Sequence, residues 1–488
     1  MIRQTHDRNL PKPLSIAASL CLSALQGCAW FGDETERAQM LDMPGIEQTI
    51  QRARMTLPTD DRWPNADWWT DFNSPALDDL IDAALADNPD LRATEARLNQ
   101  SQAMVDVQSA ELYPTIHANL TFSAQRFSAN STQVKFAGEN FRQMLINPLI
   151  LRYHLDFWGR DKAALQAAIG RAMAVKSELA DAKLLLSTTV ARYYFDLLAN
   201  QEKLALARRI VDYREALLKL DRVRVETGLT DASIPLESEI ALNFAKDTEA
   251  ILNAKVELRR HQLAALTSRG PDPSDRITAK PVRLPMRLAL PSDLPLRLIA
   301  HRPDIVAARL HAEAAAQEIK VAETAFYPDV NLIALTGLHS VSMTDVLMQG
   351  SSLAYAVGPS IELPIFEGGR LRANLTYQEA FYDAAVHRYN ASVLHAIQEV
   401  ADALTHWREI ETRLTEQRQT LNSAEARERL ADSLHRTGLN DRTDWLTARL
   451  ITCEQRYRLI SLENEQLKTA VQLIKALGGG YSETQKDS

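Results

Sequence analysis

Two places in this 488-residue chain carry side chains in a pattern that could do chemistry. His301, Arg302 and Asp304 put an imidazole, a guanidinium and a carboxylate within four positions, the composition of a phosphoryl-transfer catalytic loop. No glycine-rich phosphate loop or downstream Asp-Phe-Gly accompanies them, so that chemistry lacks its substrate clamp. The equivalent stretch earlier in the chain, Asp87 to Asp90, reads Asp-Asn-Pro-Asp, and a helix start explains both. The eleven histidines show no His-Glu-x-x-His spacing, and Cys21, Cys28 and Cys453 form no metal-binding cluster. Gly478 to Gly480 stand outside any strand-to-helix turn that could cradle a phosphate. The chain reads as a non-enzyme, with no cofactor and no metal.

Cys28 is the exception, and its chemistry is a modification. Arg3, Arg8 and Lys12 precede an apolar stretch, Leu14 to Leu25, of signal-peptide length and too short to span a bilayer. The stretch ends in Leu25-Gln26-Gly27-Cys28, which resembles a bacterial lipobox, where signal removal (residues 1–27) leaves an acylated cysteine first. Ala29, rather than aspartate, follows; in bacteria that sort lipoproteins by this position it directs the protein to the outer membrane. A net charge of −8 with 24% charged residues gives no nucleic-acid footprint. No run of 18 apolar residues offers a membrane-spanning helix, so any membrane crossing has to use strands.

The elements that would build such a crossing are written twice. Asn88-Pro89-Asp90-Leu91 matches Arg302-Pro303-Asp304-Ile305, and each is followed, 25 residues after its proline, by the proline of a Tyr-Pro pair (Pro114, Pro328). Phe157-Trp158-Gly159-Arg160 matches Phe366-Glu367-Gly368-Gly369-Arg370. From Arg160 to Gly228 is 68 residues, and from Arg370 to Gly438 is 68 again. Both halves close on an Ala-Leu pair followed by glycine, Ala265 to Gly270 and Ala476 to Tyr481. A tandem duplication follows: one repeat over 74–270, a linker over 271–293, a second repeat over 294–481 and a tail over 482–488. Residues 28–73 read as an extended N-terminal segment.

Each repeat has the order helix, strand pair, very long helix, returning helix. The first helix starts at Ser74-Pro75 and is expected to run to about Leu112. Alternation then takes over, predicting strands near 115–125 and 148–158, and near 329–338 and 353–366. Leu149, Leu151, Tyr153, Leu155 and Phe157 share one face against Arg152, His154 and Asp156, as a membrane strand requires; a half-solvated soluble sheet gives the same pattern. Between Arg160 and Gly228 there is no proline, and Val190, Leu197, Leu204, Val211, Leu218 and Val225 recur every seven residues. Val400, Trp407, Leu414 and Leu421 repeat that seam 210 positions later. Sixty-eight residues of helix span on the order of 100 Å. Thr227-Gly228-Leu229 and Thr437-Gly438-Leu439 are helix stops of the glycine-then-apolar kind, at tips near 226–233 and 436–444. Asp231, Ser233 and Asp441 are natural caps for helices that return. Four strands cannot close a membrane barrel alone, so copies of the chain must supply the rest; two copies would give eight strands and three would give twelve.

The lipobox, the Trp68-Trp69 and Asp71-Phe72 opening before Ser74, the Tyr-Pro pairs, the two arginine junctions and the paired Thr-Gly-Leu tips together resemble the TolC-type outer-membrane channel family. The lipid-anchored branch that serves multidrug efflux is the nearest in motif, and the resemblance covers about 63–481. It implies an α+β, mainly α fold: a homotrimer whose twelve-stranded β-barrel lies in the outer membrane and continues as an α-helical coiled-coil barrel into the periplasm. It implies a passive exit duct for drugs or other toxic small molecules, docked through a periplasmic adaptor on an inner-membrane transporter. Residues 124–146 and 339–352 would be surface loops. Asp444, with Asp441, would line the periplasmic aperture, although Thr447 stands where a second acidic ring is usual. Gly228, Leu229, Gly438 and Leu439 would meet the adaptor, and Arg160 and Arg370 would hold the strand-to-helix junctions. A type I protein-secretion channel and a pore-less, lipid-tethered coiled-coil scaffold are the alternatives.

Overall fold

The computed structural model describes residues 36–42, 45, 47–54, 57–60, 63–130, 138, 140–272, 277, 279, 280, 282, 290, 291, 294–341 and 350–483. The signal stretch, Cys28, most of the linker and parts of both expected surface loops lie outside them. In the first repeat the main elements are α1 (Pro75–Asp87), α2 (Pro89–Ala110), β1 (Thr115–Arg126), β2 (Asn140–His154), α3 (Arg160–Glu226) and α4 (Ser233–Leu266). The second supplies α5 (Leu294–His301), α6 (Pro303–Thr324), β3 (Asp329–Ser340), β4 (Leu353–Glu362), α7 (Arg370–Arg436) and α8 (Arg442–Ala476). Both α3 and α7 are 67 residues long. The chain gathers into two compact units, one around Gln100–Met173 and Arg309–His387, the other around Leu41–Asn99, Ala174–Ala308 and the chain from Arg388 on.

The opening helix expected to run unbroken to Leu112 is two helices, parted at Asn88. Pro89 lacks a backbone donor and pushes its predecessor out of the helical region; Asn88 is extended, with φ −63° and ψ 124°. Its Oδ1 accepts from Asp90 N–H (3.0 Å) and Leu91 N–H (3.2 Å), capping α2. Its Nδ2 donates to the carbonyl of Leu266, near the end of α4, at 3.1 Å. In the second repeat Arg302 does the same work: Nη1 donates to the carbonyl of Ala476, 210 positions on from Leu266, at 3.2 Å. The kinase-like His-Arg-Pro-Asp run is thus a helix break. Arg302 also binds Asp304 (2.7 Å) and Glu399 (2.8 Å). His301 Nδ1 bonds to the Tyr481 carbonyl at 2.9 Å, and its ring stacks on Trp63.

The first unit holds a four-stranded antiparallel sheet in sequence order, β1-β2-β3-β4. The strands differ in length from the sequence expectation. β2 starts at Asn140 rather than near 148, and ends at His154; β4 stops at Glu362, ahead of Pro364. The strand runs through Asn147-Pro148 as a bulge, its register shifting between Ile146 and Leu149 against β3. The extra residue returns Met144 and Ile146 to the apolar face of Leu149, Leu151 and Tyr153. Gly337 faces the bulge: a Cβ there would sit 2.6 Å from the Ile146 carbonyl oxygen and 3.2 Å from Asn147 Cα.

In the second unit the long helices pack side by side through the sevenfold seam. Val190 and Leu197 are fully buried, as is Val400, and Leu204, Leu218, Trp407, Leu414 and Leu421 are nearly so. Val211 and Leu218 of α3 pack on Leu242 and Ala245 of α4. Leu217, one position round, packs on Leu446 and Leu450 of α8. Leu462 of α8 packs on Ile410 and Leu414 of α7. These contacts set the order α4-α3-α8-α7.

Candidate functional site

The sheet exposes what a soluble sheet buries. Rows of register-paired residues share a face, Ile116, Leu151, Ala334 and Val357 among them. Ile116 is 63% exposed, Phe122 56%, Tyr355 78% and Val357 73%. The opposite face carries His117, Asn119, Thr121, Ser123 and Arg152 from the first repeat. β3 turns Ile333 and Leu335 to that face, which is why its alternation is hard to read in sequence. Within the four-stranded sheet β1 and β4 are edges, each with one row of backbone groups unpaired by another strand of the sheet. Exposed aromatics collect where strands end: Tyr113, Phe157, Trp158 and Phe366. Trp158 stacks on Tyr327 and donates Nε1–H to the Pro328 carbonyl at 2.8 Å. Arg160 opens α3 and lies 3.8 Å from Asp329; Arg370 opens α7 and pairs with Glu367.

Both long helices stop in the same way. Gly228 and Gly438 each have φ +71°, the left-handed conformation glycine adopts without a Cβ penalty. Leu229 N–H reaches back to the Arg224 carbonyl (2.7 Å) and Gly228 N–H to that of Val225 (2.9 Å). Leu439 and Gly438 repeat the pair on Leu434 and His435. The two leucines are more than 70% exposed, so they serve no core of the described chain. Asp441 caps α8, its carboxylate accepting from Asp444 N–H at 2.9 Å. The first tip differs from the expectation of caps at Asp231 and Ser233: Asp231 accepts from Ser233 N–H at 2.7 Å, but Ala232 stands at the N-cap position without a side-chain cap and Ser233 is already the first residue of α4. Asp444 stands exposed in the first turn of α8.

The tips also hold residues that the motifs did not single out. Arg224 reaches Asp441 (3.7 Å) and donates to Thr443 Oγ1 (3.4 Å), tying the end of α3 to the start of α8. Trp445 lies between the His435 ring and the Arg449 guanidinium, and donates to Asp432 at 2.9 Å. The first tip has Pro235 where the second has Trp445, and it is held by Ser238 on Asp221 (2.6 Å) and Arg222 with Glu239 (3.4 Å). On α4, Leu236, Ile240, Phe244, Ile251 and Leu258 form an exposed apolar stripe, Phe244 being 70% exposed. Their spacing by four and seven was legible in the sequence; that α3 buries a different face of α4 was not.

Between α3, α6, α7 and α8 lies a cluster of five ionisable groups. Arg302 and Lys475 hold Glu399 below its ordinary range in spite of its burial. Burial first, and then Asp304, push Asp181 up to about 6.

The family model for outer membrane efflux proteins matches residues 80–269 and 294–479 separately, one match per repeat. The multidrug resistance outer membrane protein MdtP of Escherichia coli K12 is 30% identical over 486 residues, covering 97% of this chain and 98% of that protein. The fusaric acid resistance protein FusA of Burkholderia cepacia is 35% identical over 367 residues, 74% of this chain and 68% of that one. Among solved structures, the outer membrane protein VceC of Vibrio cholerae superimposes with a TM-score of 0.77 at 29% identity, over 86% of this chain and all of that one. With both repeats matched and a relative 30% identical over nearly its whole length, this chain belongs to the outer membrane efflux protein family.

Proposed function

We propose that three copies of this chain close into one duct that lets an inner-membrane pump discharge toxic small molecules outside the cell. The observation that carries the proposal is the sheet: apolar side chains cover one face, and both edge strands are open. Open edges in hydrocarbon cost several kcal/mol for each unpaired backbone group, so such a sheet has to be continued by further strands. Three sets of four strands make the twelve that the family resemblance implies, and an apolar exterior with aromatics at the strand ends fits a bilayer. A pore-less scaffold would need no such face.

The helical layer supports the same closure. α8 buries Leu446 and Leu450 against α3, but Leu236 and Ile240, at the corresponding positions 210 earlier on α4, stay exposed. By the repeat relation, α4 would pack on α7 of the next copy, where Leu430 is 61% exposed. Each copy then offers a first-repeat edge to a second-repeat edge, a head-to-tail contact that closes a ring. The resistance named for MdtP and FusA supports small toxic cargo. An acylated Cys28 would anchor the chain in the outer membrane. The exposed Gly228-Leu229 and Gly438-Leu439 tips would meet a periplasmic adaptor, and Asp444 would line the aperture, with Asp441 divided between that role and its cap. Planar-bilayer recordings test the reading: the purified protein should give discrete single-channel currents, and Asp444→Ala should raise conductance and relieve block by multivalent cations. Absence of currents from the intact assembly would refute the duct; an unchanged Asp444→Ala would refute the aperture alone.

A further inference from the structure

Where β2 gives way to α3, the first repeat brings together donors that no sequence spacing advertises. His154 ends β2, Asp156 lies in the link and Asp161 is the second residue of α3, one ligand atom from each lying within 4.8 Å of the others. His154 Nδ1 is hydrogen-bonded to Asp161 Oδ2. Asp156 Oδ2 accepts from Lys162 N–H at 3.2 Å, while its other oxygen, Oδ1, is buried without a hydrogen-bond partner among the described residues. A buried carboxylate oxygen left without a donor loses its hydration and gains nothing in return, so it asks for a missing partner. On the other side of the imidazole, Nε2 lies 3.6 Å from Asp329 Oδ1. Asp329 is itself held, accepting from Asn331 Nδ2 at 2.6 Å with Arg160 at 3.8 Å. A ring with one nitrogen turned to a cluster of anionic oxygens and the other to a carboxylate is how metal-binding histidines are oriented.

The second repeat supplies the internal comparison. After the junction arginine Arg370 comes Leu371, where Asp161 follows Arg160; six and four positions before Arg370 stand Pro364 and Phe366 in place of His154 and Asp156, and the carboxylate that does precede it, Glu367, pairs with Arg370. A strand still passes into a 67-residue helix there. The fold does not require the three donors, so their presence in the first repeat has another cause.

We propose that His154 Nδ1, Asp156 and Asp161 bind one divalent first-row cation per chain, with zinc as the best match. The imidazole disfavours calcium and magnesium, which prefer all-oxygen shells. Donors around tetrahedral zinc sit about 3.4 Å apart, so the widest pair, within 4.8 Å now, has to close by up to about 1.4 Å while the hydrogen-bonded His154–Asp161 pair opens. The ion takes the place of the His154–Asp161 hydrogen bond, Nε2 carries the ring proton toward Asp329, and Asp156 Oδ1 gains its partner. The fourth position opens on a cavity of about 360 Å³ lined also by Trp158, Tyr327 and Glu367, where water completes the shell. The ion pins the end of β2 to the start of α3.

The test is calorimetric titration of zinc into the full-length protein, freed of any affinity tag, in detergent after dialysis against chelator. The wild type should bind one zinc per chain and melt at higher temperature when loaded. Asp156→Asn and His154→Gln should lose the site, and Asp329→Asn should weaken it by about 10- to 100-fold. Native mass spectrometry of each variant establishes that its assembly is intact. Absence of stoichiometric zinc binding by the wild type overturns the proposal. So does equal binding by an intact Asp156→Asn or His154→Gln variant, which would assign the zinc to surface carboxylates.

Discussion

Replacing Gly478 by alanine separates two reasons for which a chain uses glycine. Gly478 ends α8 as Gly228 ends α3, with φ +90° and its N–H on the Lys475 carbonyl at 2.8 Å. Its counterpart at the end of α4, 210 positions earlier, is Ser268, which holds φ +59° and makes the matching bond to Ala265 at 3.1 Å. A serine there shows that the left-handed geometry is tolerable with a side chain, at about 1–2 kcal/mol. What differs is room. A Cβ on Gly478 would collide with the His301 carbonyl oxygen, whereas one on Gly438 would meet nothing within 4 Å among the described residues. The Gly438→Ala change should therefore cost about 1–2 kcal/mol of local tip stability. Gly478→Ala adds overpacking against backbone that cannot rotate away, about 1–3 kcal/mol more, and disturbs the break that Arg302 holds. The midpoint of heat dissociation of the assembly, read on unheated gels, should fall about 1.5- to 4-fold further for Gly478→Ala than for Gly438→Ala. Ser268→Gly should not lower it. Equal shifts for the two glycine variants would refute the crowding argument.

Asp181 makes stability depend on pH. Its folded value of about 6 lies above the ordinary 3.8, so the folded protein binds this proton more tightly and loses stability as pH rises through that interval. At pH 8 the penalty amounts to about 2–3 kcal/mol, and Asp181→Asn should raise the pH 8 melting midpoint and flatten its change between pH 5 and 8. Gly337→Ala should displace the β2 bulge and reduce the assembled fraction recovered from membranes, because a Cβ there meets the Ile146 carbonyl and Asn147 Cα. Leu446→Ala removes a side chain that is 2% exposed where α8 meets α3, at a cost of about 2–5 kcal/mol, read as faster amide exchange through the first turns of α8. Ile240→Asp on the exposed stripe of α4 should leave the helical content of the chain intact and abolish its assembly, a result circular dichroism and native mass spectrometry resolve together.

Much of the fold is legible because duplication writes it twice. Equal spacings locate both junction arginines and both tips, and the sevenfold recurrence from Val190 gives a seam that the structure buries. Two elements misled for local reasons. The helix from Pro75 reads on to Leu112 although Asp87 to Asp90 read as a helix start; the two readings meet at Asn88, which Pro89 forces out of the helix. β2 looked short because its alternation reads cleanly only from Leu149 on; the bulge at Asn147-Pro148 puts Met144 and Ile146 out of step in sequence, and only the pairing partner β3, with Gly337 opposite, reveals it. Of the candidate site, the tip glycines were readable from chirality alone. The links of Arg224 to Asp441 and of Trp445 to Asp432 were not, since they join residues that only tertiary packing brings together. The same holds for the junction cluster, where Asp329 comes from the other repeat.

The account rests on a sheet whose edges are completed by further copies of the chain. Native mass spectrometry of the detergent-purified protein measures this directly, because it counts subunits without presuming what joins them. A dominant species of three chains is predicted, unchanged on dilution. A monomer stable in detergent would contradict the account, for its four strands would then have both edges open.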